Sequence, residues 1–269
     1  MSRRRIATLT IAGALGVLAA APAAQADTVT LGSTLANDFD GGVSGGASTV
    51  SVQLSYDPVT SPNPVVSPAN GIITGWKVKS ADDGALYTLK VLRANGPVSL
   101  MTATNSNFSA LRSVVAPTPV PAGTNGTTPT GVIFEYPASL PISQGDYVGL
   151  LTGGDDDDLP QKTTNGLAQN LIANNFSGLP ADGAAADLLA DEQHDLLLQA
   201  TVQYCNVPKL KGKKLKAAKK ALAAADCGVK VGKKKVKKKK QRGKVIKQKQ
   251  KPGFTAPPGS KIAITVGKK

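Results

Sequence analysis

Most of the chain alternates apolar and polar residues with a period of two. In Gly71–Ser80, Ile72, Trp76 and Val78 share one face and Lys77 and Lys79 the other. In Ala85–Arg93, Tyr87, Leu89 and Val91 alternate with Thr88 and Lys90, and in Gly131–Tyr136, Val132, Phe134 and Tyr136 flank Glu135. In Leu196–Tyr204, Leu196, Leu198, Ala200, Val202 and Tyr204 alternate with Gln199, Thr201 and Gln203. This pattern predicts half-buried antiparallel strands. Shorter runs at Thr28–Leu31, Thr49–Leu54, Val98–Thr102, Ser109–Val115 and Asp146–Leu151 predict further strands. Between them lie turn-forming stretches such as Asp57-Pro58, Ser61-Pro62-Asn63-Pro64 and Gly123-Thr124-Asn125-Gly126. Ala184–Glu192, dense in Ala and Leu, predicts a short helix inside a long irregular stretch from Gly153 to Asp195. The expected fold is mainly β, with a two-sheet antiparallel, jelly-roll-like sandwich over residues 27–204.

After Tyr204 the pattern changes. Leu215, Ala218, Leu222 and Ala225 fall on one stripe of a helix spanning Lys214–Ala225, with Cys227-Gly228 ending it. Val229 and Val231 start a strand, Gly243–Gln248 reads as a second, and Ile262, Ile264 and Val266 alternate in a third over Lys261–Val266. Residues 205–269 therefore predict a small α+β unit, one helix on a three-stranded sheet.

Charge sharpens this boundary. The formal net charge of the whole chain is +14. Residues 27–204 hold 6 Lys and Arg against 17 Asp and Glu, while residues 205–269 hold 23 against the single acid Asp226. The second unit thus carries a net +22, which attracts polyanions. Its densest segment is Lys233, Lys234, Lys235, Lys237, Lys238, Lys239 and Lys240, followed by Arg242, and these are the candidate polyanion-binding residues. With only Phe254 near in sequence, base stacking is not expected of them.

The first 26 residues predict export. Arg3, Arg4 and Arg5 precede an uncharged apolar run from Ile6 to Ala20, and Ala24-Gln25-Ala26 offers a signal-peptidase site. The apolar run is shorter than a membrane span needs. A secreted mature chain starting at Asp27, by general secretory or twin-arginine export, with no membrane span after signal removal, is the expectation. In an oxidising compartment the two cysteines, Cys205 and Cys227, are expected to form a disulfide.

Catalytic signals are weak. Asp155–Asp158 is read as a solvated acidic loop rather than a calcium site, since consecutive side chains in an extended run cannot all converge. The lone His194 has no nucleophile motif near it, and Trp76 is read as core rather than as a sugar platform. The triplets Asn107-Phe108-Ser109, Asn125-Gly126-Thr127 and Asn175-Phe176-Ser177 are read as exposed loops. No catalytic residue, metal site or cofactor is expected.

Residues 205–269 resemble the PASTA domain, the repeat found on penicillin-binding proteins and bacterial Ser/Thr kinases. The resemblance is carried by Val207-Pro208, the Leu210-x-Gly212 turn, the Ala-rich helix, Gly243-x-Val245-x-x-Gln248, Pro252-Gly253 and Gly259-Ser260-x-Ile262-x-Ile264-x-Val266. The lysine run is read as lengthening a hairpin between the first two sheet strands. Gly145-Asp146-Tyr147-Val148-Gly149-Leu150 resembles a phrase of secreted jelly-roll sandwiches. The PASTA resemblance implies binding to peptidoglycan fragments or β-lactams. The expected function is a non-catalytic, cell-wall-associated binding protein whose basic unit docks on peptidoglycan or an anionic wall polymer, with the sandwich displayed or holding a glycan. The alternatives are a wall hydrolase with a catalytic sandwich and an extracellular nucleic-acid or polyanion binder.

Overall fold

The computed structural model describes residues 26–39, 49–55, 61–101, 103–121, 131–152, 159–163, 171–175, 181–192 and 194–269. Residues 1–25 of the signal segment, Asp155–Asp158 and Asn125-Gly126-Thr127 lie outside them. Among the described residues, twelve strands precede one α-helix: β1 (Asp27–Gly32), β2 (Val50–Ser55), β3 (Gly71–Ser80), β4 (Tyr87–Ala94), β5 (Asn105–Val115), β6 (Val132–Ile142), β7 (Tyr147–Thr152), β8 (Gln161–Thr163), β9 (Leu171–Asn175), β10 (Ala185–Glu192), β11 (His194–Leu196) and β12 (Leu198–Asn206). After them come α1 (Leu215–Ala224), β13 (Gly228–Lys235), β14 (Val245–Gln248), β15 (Thr255–Ala256) and β16 (Lys261–Lys268).

The N-terminal part is antiparallel and sandwich-like. One sheet runs β1-β12-β3-β6. The other closes on itself in the order β10-β5-β4-β7-β2-β9. Between them lies a core that includes Leu31, Ile73, Trp76, Val78, Tyr87, Leu89, Leu150 and Val202. Trp76 is buried, as expected, and pairs across the sheet with Tyr136, the ring centroids 4.7 Å apart. Pro137 and Pro141 sit in β6, at the edge of its sheet, where a missing N–H breaks no ladder.

Closing the second sheet changes the reading of its strands. A ring has an inside, and Val50, Val52, Leu54, Leu92, Phe108, Leu151 and Leu188 form a second core. β4 is therefore buried on both faces. Thr88 and Lys90, expected to face solvent, are 9% and 4% exposed, and Lys90 Nζ lies 3.4 Å from Asp182 Oδ1. The Gly145-Asp146-Tyr147 phrase has a structural role: Asp146, fully buried, accepts from Arg93 Nε at 2.7 Å and Nη2 at 3.1 Å and from the Ser143 N–H at 2.9 Å. These bonds pin the β6–β7 turn to β4.

Three expectations are corrected. Ala184–Glu192 is strand β10, not a helix. Ala186, Leu188 and Ala190 pack on the second core while Leu189 is exposed, so period two wins over the helix propensity of Ala and Leu. The stretch from Gly153 to Asp195 holds β8, β9, β10 and β11. Val98–Thr102 forms no strand among its described residues: Val98 rests on the second core, while Leu100 and Met101 are 63% and 70% exposed.

Candidate functional site: the basic C-terminal module

The module is built on Val207, Leu210, Ala218, Leu222, Val245, Ile262, Ile264 and Val266, with Cys205 and Cys227 in the same core. The predicted stripe on α1 is the buried one. Ala218 and Leu222 are covered, and Leu215 and Ala225 pack beside them. The helix starts without a side-chain cap, but the Leu215 N–H finds the Gly243 carbonyl at 3.1 Å.

The helix ends in a Schellman arrangement. Asp226 takes φ +49°, its N–H donates to the Ala223 carbonyl at 3.1 Å, and the Cys227 N–H reaches back to the Leu222 carbonyl at 2.8 Å. The stop signal is thus Asp226 in the left-handed region, one residue before the expected Cys227-Gly228. Gly228 answers a different need: a Cβ there would meet the Gly259 carbonyl oxygen at 2.5 Å. The cap also delivers Cys227 to its partner. Cys205 and Cys227 are joined, their Cα atoms 5.2 Å apart across 22 residues of chain.

The sheet order is β13-β16-β14, with β13 parallel and β14 antiparallel to β16. The lysine run is therefore not the tip of a hairpin. β13 and β14 are separated by β16, so the connection has to cross two strand spacings, roughly 10 Å. It does so over the end of β16. The Val236 N–H bonds the Lys268 carbonyl and the Gly243 N–H the Gly267 carbonyl. Lys233, Lys234 and Lys235 end the edge strand β13, opposite Val266, Gly267 and Lys268. Lys237 and Lys238 lie in the crossing, Lys239 and Lys240 in a 3-10 turn over Lys239–Gln241, and Arg242 follows. All eight of these basic side chains are exposed. Lysines at a sheet edge also discourage edge-to-edge pairing.

A second basic locus was not legible in the sequence. The segment Pro208–Lys214 is strapped to the outer edge of β14. Gln248 accepts from the Leu210 N–H at 3.0 Å and donates to the Pro208 carbonyl at 2.9 Å. Val245 exchanges bonds with this segment: its N–H donates to the Lys213 carbonyl and its carbonyl accepts from the Gly212 N–H. Along this seam open two adjoining concavities. One, of about 290 Å³, is lined in part by Lys209, Lys211, Lys247, Lys251 and Pro252. The other, of about 240 Å³, is lined in part by Lys211, Lys240 and Lys244, and the two share Lys211 and Ile246. These lysines are scattered over more than forty positions of sequence, so no run announces them. The only partial signal was the family phrase ending in Gln248. Among the described residues, no ion pair involves a lysine of the module.

The sandwich residues considered for chemistry are placed as follows. His194 starts β11, and its carbonyl accepts from Gln53 Nε2 at 3.1 Å. Asn107-Phe108-Ser109 is part of β5, not a loop, with Phe108 buried and Asn107 Nδ2 donating to Asp187 at 2.6 Å. Asn175 ends β9, and Phe176 and Ser177 lie outside the described residues. Among the described residues, no cluster of three or more His, Cys, Asp or Glu could hold a metal ion, and no helix is long and apolar enough to cross a membrane.

No curated protein matches this chain. A solved structure described as that of infectious bursal disease virus Gx strain shares 13% identity, covering 67% of this chain and 40% of its own, at a TM-score of 0.22. That likeness is too slight to bear on the fold or the function. The informative match is local: the family model for the PASTA domain matches residues 206–268, the module from the end of β12 through β16.

Proposed function

We propose that this is an exported, non-catalytic protein of the bacterial cell envelope whose C-terminal module docks on peptidoglycan or on anionic polymers attached to it. In this reading the sandwich is displayed outward or holds a glycan. The PASTA match supports a cell-wall-related binding module. The observation that carries the docking mechanism is the charge: 23 basic residues against one acid, with no ion pair among the module's described lysines. Lys233–Lys240 and Arg242 supply long-range attraction at little burial cost.

Co-sedimentation with purified sacculi tests the reading. The full chain should pellet, and a chain ending at Tyr204 should not. Changing Lys237, Lys238, Lys239 and Lys240 to Gln should weaken binding and flatten its salt dependence without unfolding the module. Equal pelleting of the truncated chain would move the wall contact to the sandwich. Release of soluble muropeptides during the assay would favour the hydrolase instead.

A further inference from the structure

We propose that the seam between β14 and the Pro208–Lys214 strap is the seat of a linear polyol-phosphate polymer. The proposal deepens the docking reading above and rests on it. The charge is the first argument. Lys209, Lys211, Lys247 and Lys251 line one concavity and Lys211, Lys240 and Lys244 the other, while no acidic residue lines either. Six ammonium groups in one seam exceed what a single small anion can engage, whereas a chain with a charge at every repeat can engage them in turn.

The second argument is chemical type. Every cation lining the seam is a lysine. An ammonium is a compact point charge that meets the oxygens of a phosphodiester from any side, without the fixed two-point geometry that an arginine fork imposes on carboxylate or phosphate. Arg242, the module's one arginine, is not part of the lining. Gln250 adds a neutral donor: its Oε1 is taken by the Ala263 N–H at 3.2 Å, so the amide nitrogen is the end able to meet an anion.

The third argument is the floor. Ile246 is common to both concavities and Pro252 lies in the larger, so apolar surface lies among the charges of the seam. A polymer of short carbon linkers joined by phosphodiesters likewise combines carbon surface with charge. No aromatic side chain lines the seam, which removes the stacking that nucleic acid and sugar rings use. A peptide stem of peptidoglycan carries amines as well as carboxylates, and no acidic side chain lines the seam to pair with its amines.

The fourth argument is rigidity. The strap is held by the Gln248 clamp and the Val245 exchange, so the backbone that carries its lysines is fixed before a ligand arrives. Lys233, Lys234, Lys237 and Lys238 line neither concavity, and their charge acts at longer range.

The test uses the full chain and purified poly(glycerol phosphate), with binding measured by calorimetry across a salt series. Lys209→Gln, Lys211→Gln, Lys247→Gln and Lys251→Gln are combined in one variant. Lys233→Gln, Lys234→Gln, Lys237→Gln and Lys238→Gln are combined in another that removes the same charge. The seam variant should lose about tenfold or more in affinity, and its slope of log K against log salt should fall by about three. The other should lose no more than about threefold. Equal losses in the two variants would overturn the site. Single-stranded DNA bound as tightly as poly(glycerol phosphate) would overturn the ligand class. Sacculi bound while the polymer is ignored would sink this inference and leave the docking function standing; neither bound would sink both.

Discussion

Asp195 is a carboxyl group that the sandwich has drawn almost wholly out of water, at 2% exposure. Its Oδ2 accepts from Asn37 Nδ2 at 2.6 Å, and no cation is paired with it among the described residues. Burial pushes its pKa up to about 6, and hydrogen bonds from Asn37 and Ser33 only partly offset this. The neighbouring Lys79, also buried, is satisfied differently: its Nζ donates to the Asn37 carbonyl at 2.6 Å and to Asp38 at 3.3 Å. The sign for Asp195 follows from the raised value. The folded chain holds the proton more tightly than the unfolded chain, so the stability from this group is present below about pH 4. It is lost as the pH rises toward 6. A shift from 3.8 to about 6 corresponds to about 3 kcal/mol. Asp195→Asn keeps an acceptor for Asn37 without the charge. Urea unfolding at pH 4 and pH 7.5 should show the variant gaining about 3 kcal/mol on the parent at the higher pH and little at the lower. The same pH dependence in both proteins would mean that Asp195 stays charged in the fold at no cost.

At the scale of elements, what the sequence shows is periodicity, and what it hides is pairing. The α1 stripe and most strands were legible because a buried face recurs every 3.6 or two residues. β10 was misread because Ala and Leu favour helix, while its alternation of Ala186, Leu188 and Ala190 matters only once the ring of strands exists. The buried polar face of β4 was hidden for the same reason. The lysine run was misplaced because the order β13-β16-β14 sets a later strand between two earlier ones, a choice no local signal records. The seam on β14 was hidden more deeply, since its lysines come together only when the strap folds onto the strand edge. The cysteines were legible as a pair, and the structure adds what they join: the end of β12 to the cap of α1. In so small a module the core is thin, and closing a loop with a separation of 22 should matter. Cys205→Ala combined with Cys227→Ala should lower the module's stability by about 3 kcal/mol. Reductant should bring the parent chain to the same value in urea unfolding followed by circular dichroism. A parent unaffected by reductant would show that the bond adds nothing to stability.

At the scale of the molecule, the abrupt change of charge near Tyr204 falls within a strand that two units share. β12 starts in the first sheet, where Leu198 pairs with Val78, and ends inside the module, where Cys205 pairs with Ala256 and Asn206 with Thr255. Val202 belongs to the sandwich core and Cys205, three residues on, to the module core. One sandwich residue, Asn70, fastens the joint. Its N–H donates to Thr255 Oγ1 at 2.9 Å, its Nδ2 to the Thr255 carbonyl at 3.2 Å, and its Oδ1 accepts from the Gln144 N–H at 3.1 Å. A shared strand cannot swivel as a flexible linker does, so the basic seam has a fixed aim relative to the sandwich. Thermal unfolding of the oxidised chain should therefore give one calorimetric transition. Thr255→Val keeps the shape of the side chain but removes the hydroxyl, leaving the Asn70 N–H without its acceptor at a cost of about 1–3 kcal/mol. That loss falls on the joint rather than on either core, so the variant should split into two transitions. The disulfide-bonded module should melt second. Two separate peaks in the parent chain would show that β12 passes between the units without coupling them.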